Sequence, residues 1–417
     1  MDTSIQKEIC FKLALTYILV NNPLYICNCI RFKIYILKKQ SFLHILMSTS
    51  VTDKTLYQIA LTQIEGVGVA LARNLMQIVG DEEQIFKEPK RNLEKIQGIS
   101  FRLINEIKNK EVLRKAEEEL QFVTKNNLDL LFFTSEEYPE RLTHCIDAPI
   151  LLYVKGNSNL NYKKIVSIIG TRNSTPQGIE ACNQFVKDLS SKFSDLLIVS
   201  GLAYGVDICA HRAAIENNMP TVAVLAHGLD RIYPAVHRKT AIQMLDKGGL
   251  VTEFPSETRP EKFNFVRRNR IVAGLSDALV VIESADKGGS LITAEIANSY
   301  YREVFAMPGR VTDTYSVGCN RLISTNRAIL MQDVNGFINH MGWDETSKPQ
   351  PKQKELFLQL SEAEERVFNA LNDNESIHVN MLAIELNVPV SELFFTLLEL
   401  EMKNVVKPLP GGVYKLL

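Results

Sequence analysis

The 417-residue sequence lacks the short signatures that most directly assign a chemistry. No Gly-x4-Gly-Lys-[Ser/Thr] and no Gly-x-Gly-x2-Gly occurs, so ATP hydrolysis and dinucleotide redox chemistry lose their usual support. Seven cysteines, at 10, 27, 29, 145, 182, 209 and 319, contain no Cys-x2-Cys pair. Neither a zinc site nor a disulfide framework is readable from them, and they suit a reducing cytoplasm. No run reaches the length of about 20 uninterrupted apolar residues that a membrane span needs. A strong net charge is also missing, the total being -1. No metal, no cofactor and no membrane partner is therefore expected.

What remains is an ordinary globular composition, 46% apolar and 23% charged, in a chain long enough for two to four domains. The neutral total hides a segmentation. Residues 1–46 carry six basic and two acidic residues, residues 161–343 carry 20 and 17, and residues 358–417 carry four and nine. Only the middle segment joins a positive balance to a tight basic cluster, so a phosphate-binding surface belongs there. The cluster is Lys262-Phe263-Asn264-Phe265-Val266-Arg267-Arg268-Asn269-Arg270-Ile271. Cations answer phosphates and exposed rings offer faces to unstacked bases, which points to single-stranded nucleic acid. The competing description is a basic loop feeding a buried strand, with one ring in the core; Phe265 is the expected stacking ring and Phe263 the expected core residue.

Residues 1–46 hold apolar runs broken by Asn21-Asn22-Pro23, Arg31 and Lys33, and Asp2 and Glu8 spoil a secretory start. They are expected to be a spurious or disordered leader, with Met47 as the true start. Residues 47–127 read as a helix-hairpin-helix (SAM-like) domain. Leu56, Ile59, Ala60 and Ile64 lead into Glu65-Gly66-Val67-Gly68, and Leu93 through Ser100 repeats the plan with one glycine fewer. Its acidity favours a structural or partner-binding role.

From 128 to 343, short apolar runs alternate with helical ones: 128–133, 149–154, 164–169, 196–199, 221–225, 250–253, 278–282 and 303–306. This is an α/β pattern, an extended Rossmann-like domain with a parallel sheet covered on both faces. Ligands of such sheets sit beyond the carboxyl ends of the strands. Gly170 and Arg172 follow one strand, Ser200, Gly201 and Gly205 another, and Gly289 and Ser290 a third, making a rim at which backbone can approach phosphate. Asp207 and His211 could share a helix face for acid/base or metal chemistry, but a capping Asp207 above a packed His211 is the simpler expectation. After a polar linker at 344–357, residues 358–417 read as a winged-helix domain with helices near 361–372, 379–387 and 391–403. The third displays Glu392, Glu399 and Glu401, unlike a major-groove reader, so a packed or protein-binding module is expected.

Five stretches together resemble one family: Ile169-Gly170-Thr171-Arg172; Ser200 through Asp207 with His211; Phe265 through Arg270; Gly288-Gly289-Ser290-Leu291-Ile292-Thr293-Ala294-Glu295; and Val304 through Gly309. Their order and spacing are similar to those of the DNA-processing protein DprA (Smf) family, over most of residues 50–417. The resemblance implies a cytoplasmic bacterial protein that binds single-stranded DNA without catalysis. It further implies a homodimer, with contacts around 319–338, that helps load the RecA recombinase during natural transformation. It also implies that Arg172 meets phosphate, that Lys262, Arg268, Asn269 and Arg270 hold the strand, and that Phe265 stacks on a base. Asn326-Arg327-Ala328 stands where the family usually has a Gly-Ala pair. The rival reading rests on Glu295 after the glycine turn, which is similar to the acidic residue of nucleoside-monophosphate phosphoribohydrolases and would imply an N-glycosidic hydrolase. Its alternative role is that of a helix-dipole partner in a first turn.

Overall fold

The computed structural model describes residues 54–157, 159–343, 360–372, 374, 376–403, 405–409 and 411–417. The expected leader at 1–46 and the linker at 344–357 lie outside the described residues. Among those described, no single helix is long and apolar enough to cross a membrane.

The two hairpins of the first region are built alike. A helix over 54–63 turns into the helix Val69–Val79 through Gly66, whose φ of 87° only glycine adopts readily. Lys90–Leu93 turns into Phe101–Ile107 through Gly98 at φ 88°. The second hairpin has therefore kept the glycine its geometry requires. Where the first has Gly68 at the N-cap, the second has Ser100, whose hydroxyl accepts from the Leu103 N–H. The helix Lys110–Asn126 completes the region. Its core, with Ile59, Leu75, Leu93 and Ile104, is continuous with Phe132, Leu151 and Tyr153 of the neighbouring sheet. Buried Glu119 fastens the same joint by accepting from the Ser256 N–H and hydroxyl.

That sheet has nine strands: β1 (Asp129–Phe132), β2 (Leu151–Gly156), β3 (Lys164–Ile169), β4 (Leu196–Ser200), β5 (Thr221–Val224), β6 (Gly249–Thr252), β7 (Ala278–Val281), β8 (Glu303–Ala306) and β9 (Ile329–Leu330). The order is β1-β2-β6-β5-β4-β3-β7-β8-β9. From β6 to β9 all pairings are parallel, as the alternation predicts, but β1 and β2 join the β6 edge antiparallel. The expectation of a wholly parallel sheet is corrected there. These two strands are consecutive and pair antiparallel, the 133–150 connection with its short helix Glu140–Thr143 turning the chain back without a crossover. Two apolar layers cover the faces, one around Ile165, Leu197, Leu279 and Ile271, the other around Val166, Ile198, Phe185 and Phe337.

Short β9 lies within the four-residue apolar run Ala328–Met331 and is not among the strands expected from the sequence. Just before it, Asn326 takes φ 55°, the left-handed conformation that asparagine tolerates best among residues with a Cβ. Asn326 thus takes a conformation that a glycine would also adopt.

The winged-helix region packs Glu362–Asn372, Val379–Leu386 and Val390–Met402 against a three-stranded sheet of Ile377–His378, Val406–Leu409 and Val413–Leu416. It touches the larger domain through His378, stacked on His144 at 4.3 Å, and through Phe394, whose ring centre lies 5.7 Å from that of Tyr301.

Candidate nucleic-acid interface

The basic and aromatic run is a helix, Lys262–Gly274, rather than a loop. Its inner side carries Ile271 and Val272 into the core, and its first turns project over the carboxyl ends of β4 and β5. Arg268 makes that connection. Only 4% exposed, it donates to the Gly201 carbonyl at 2.7 Å and the Val224 carbonyl at 2.5 Å. Gly201 is glycine because the guanidinium occupies the space a Cβ would take.

The expected role of Arg268 in holding a strand is therefore corrected: its cation is spent inside the protein, positioning the helix. Arg270, only 11% exposed in its side chain, ion-pairs with Glu253 at 2.5 Å, and Arg267 reaches the same carboxylate at 3.1 Å. Asn269 is half-buried and accepts from Arg268 Nε at 3.2 Å. Of Lys262, Arg268, Asn269 and Arg270, Lys262 alone is exposed, and no ion pair holds it among the described residues.

The rings are also redistributed. Phe263 is 69% exposed, not a core residue, because it sits in the first turn, before the helix reaches the sheet. Phe265 is half-buried between two guanidinium groups, Arg172 at 5.2 Å and Arg268 at 5.9 Å from its centre. Attraction between these cations and the ring face fixes the ring at the rim. Arg172 itself is exposed and free of ion pairs among the described residues. Two further exposed rings adjoin them: Tyr233, 6.0 Å from Phe265, and Tyr204, 5.1 Å from His237. Tyr233 and Glu253 carry no signal in the sequence beyond their types, since it is the helix Lys262–Gly274, folding back over the sheet, that brings Phe265, Arg267 and Arg270 to them.

The turns assemble as the strand order dictates. Gly170 and Thr171 leave β3, and the Thr171 carbonyl accepts from Val206 N–H at 3.2 Å. Gly205, at φ 75°, lies so close to the Thr171 carbonyl that no side chain fits. Ser200 and Ser290 are buried, their hydroxyls donating to the Ile168 carbonyl and to Ser284, so these side chains are engaged in shaping the rim. Gly289 opens the helix Gly289–Ser299 with free space around it and no side-chain cap.

Asp207 does not cap its helix. Gly205 is the N-cap of Val206–Glu216, while the Asp207 carboxylate accepts from the Ala203 N–H and holds the preceding turn. His211 is fully buried, as expected, with Nδ1 2.7 Å from the Thr221 hydroxyl. That hydroxyl donates to the Ile198 carbonyl, so Nδ1 carries the proton. Burial, aided by Arg268, pushes the imidazole pKa down to about 3. A neutral, enclosed His211 is structural. Glu295 lies past the first turn of its helix and ion-pairs with Arg327 at 2.5 Å, which corrects the dipole expectation and turns the carboxylate away from the rim.

The family described as DNA recombination-mediator protein A matches residues 129–342, and the DprA winged helix domain matches residues 347–412. Protein Smf of Escherichia coli is 33% identical over 312 residues, 73% of this chain and 81% of its own length. DNA processing protein DprA of Bacillus subtilis is 40% identical over 191 residues, 46% of this chain and 64% of its own. The X-ray structure of DNA processing protein A from Streptococcus pneumoniae superposes with a TM-score of 0.57 at 30% identity, covering 68% of this chain and 97% of that one. With the matched residues 129–342 spanning the sheet and the rim, this chain belongs to the DprA (Smf) family.

Proposed function

We propose that the protein binds single-stranded DNA across the rim and, without catalysis, helps load the RecA recombinase on it during DNA uptake. The observation that carries the reading is the ledge of Arg172, Phe265 and Tyr233, a cation without an ion pair among the described residues beside rings at the carboxyl ends of the central strands. Duplex DNA hides its base faces, whereas a single strand can stack them on such rings while phosphates meet Arg172, Lys262 and the uncapped start of Gly289–Ser299. The relatives' names, DNA processing protein and recombination mediator, support the same direction. A homodimer, using the edge from Val317–Ser324 to β9, and a cytoplasmic location complete the proposal.

The side chains that the hydrolase reading would use are engaged elsewhere: Glu295 is held by Arg327 and His211 is enclosed. Titrating mixed-sequence oligonucleotides against the protein at rising salt, with free adenine from AMP assayed in the same sample, separates the readings. Affinity should fall steeply with salt and no base should be released. Salt-insensitive binding with adenine release would refute the proposal.

A further inference from the structure

The winged-helix region has a second apolar face that its own core does not use. Leu393, Leu397 and Leu400 of helix Val390–Met402 fill the core, yet on the opposite side Phe395, Leu398 and Met402 stand 73%, 54% and 78% exposed. Spacings of three and four place these three on one stripe of the helix. Glu392 and Glu399 flank it on one side and Glu401 on the other, all exposed and without ion pairs among the described residues. The adjacent cation, Lys403, is neutralised by Glu364 at 2.6 Å. Residues 358–417 carry nine acidic against four basic residues.

We propose that this stripe docks a protein partner offering a helical segment of apolar side chains flanked by Lys and Arg. Charge complementarity selects that occupant. Nucleic acid and anionic membrane surfaces would meet the glutamates with like charge. A second copy packed through the same stripe would face Glu392, Glu399 and Glu401 with their own images. A basic amphipathic segment buries the three apolar side chains and answers the flanking carboxylates, the arrangement by which partner helices are read as anchors at i, i+3 and i+7. The inference is independent of strand binding at the rim.

The test uses the full-length protein and labelled helical peptides of about 18 residues, long enough to hold some helical order. One has Leu at helical spacing with Lys between, a second has the same Leu with Glu, and a third keeps the Lys but replaces Leu by Ser. The Leu/Lys peptide should bind at least about tenfold more tightly than either control, because both the apolar and the charged parts are required. Combined Phe395→Ser and Met402→Ser should reduce its affinity at least about tenfold while oligonucleotide binding and melting temperature stay unchanged. Equal binding of the Leu/Lys and Leu/Glu peptides overturns the proposal, as does unaltered binding by the double variant. Self-association abolished by the double variant would assign the stripe to a second copy. A roughly tenfold gain in peptide affinity on changing Arg31 and Lys33 to Glu would assign it to the chain's own basic N-terminal segment. Either result rules out the external partner.

Discussion

Helices Lys262–Gly274 and Val390–Met402 are each 13 residues long, and each turns a leucine- or isoleucine-bearing face to a core. They differ in what the outer face carries: cations and rings on the first, glutamates and bare apolar side chains on the second. On the first helix, most of the cations are engaged internally, Arg268 by two carbonyls and Arg267 and Arg270 by Glu253. On the second, Glu392, Glu399 and Glu401 have no ion pair among the described residues. A cluster of charge in a sequence is thus a weaker guide to a binding face than the few charges that remain unpaired once the chain has folded.

The sharpest way to break this contrast is to remove the internal cation. Arg268→Ala removes a donor from two buried carbonyls at about 1–3 kcal/mol each, so a loss of about 2–6 kcal/mol of stability is expected by denaturant unfolding. Arg268→Lys should recover only part of it, because a single ammonium cannot reproduce the planar fork between Gly201 and Val224. Melting as in the parent protein would show that Arg268 faces outward and that the first helix is cationic through and through.

The rings offer a second division, at smaller cost. Phe265→Ala should weaken oligonucleotide binding by about 1–3 kcal/mol if a base stacks there. Phe263→Ala, further out on the same helix, serves as the comparison: a larger loss there than at Phe265 would move the stacking platform to the first turn. Arg172→Gln should weaken binding uniformly across sequences and lower the slope of log affinity against log salt by about 0.7, the share of one phosphate on a single strand. An unchanged slope would remove Arg172 from the strand path.

How much of this was legible beforehand follows the same divide. The strands β3 to β8 were readable because a strand buried on both faces must be a continuous apolar run, and 303–306 matched to the residue. The rim's location followed from strand ends and glycines. What the sequence concealed was partnership: that Glu253 holds two of the arginines, that Arg268 points inward, that Phe263 stays outside, and that Tyr233 comes to lie beside Phe265. Those facts depend on residues that only the sheet order brings together. In the C-terminal region the glutamates were visible and remain on the surface, since short-range helical spacing alone decides which side of a helix they take.

The smallest expected effect is the one that tests the second helix. Changing Glu399 and Glu401 to Lys shifts its outer face by four units of charge while leaving Leu393, Leu397 and Leu400 in the core. If the strand runs only over the rim and keeps more than the screening length at physiological salt, about 8 Å, from the new cations, oligonucleotide affinity should change less than about twofold. If the winged helix lies on the strand path instead, the same change converts repulsion into attraction, and both affinity and salt slope must rise, the slope by about 0.7 for each phosphate newly met. A null result in low salt as well, where screening reaches about 30 Å, would place the two helices on functionally separate faces of one chain.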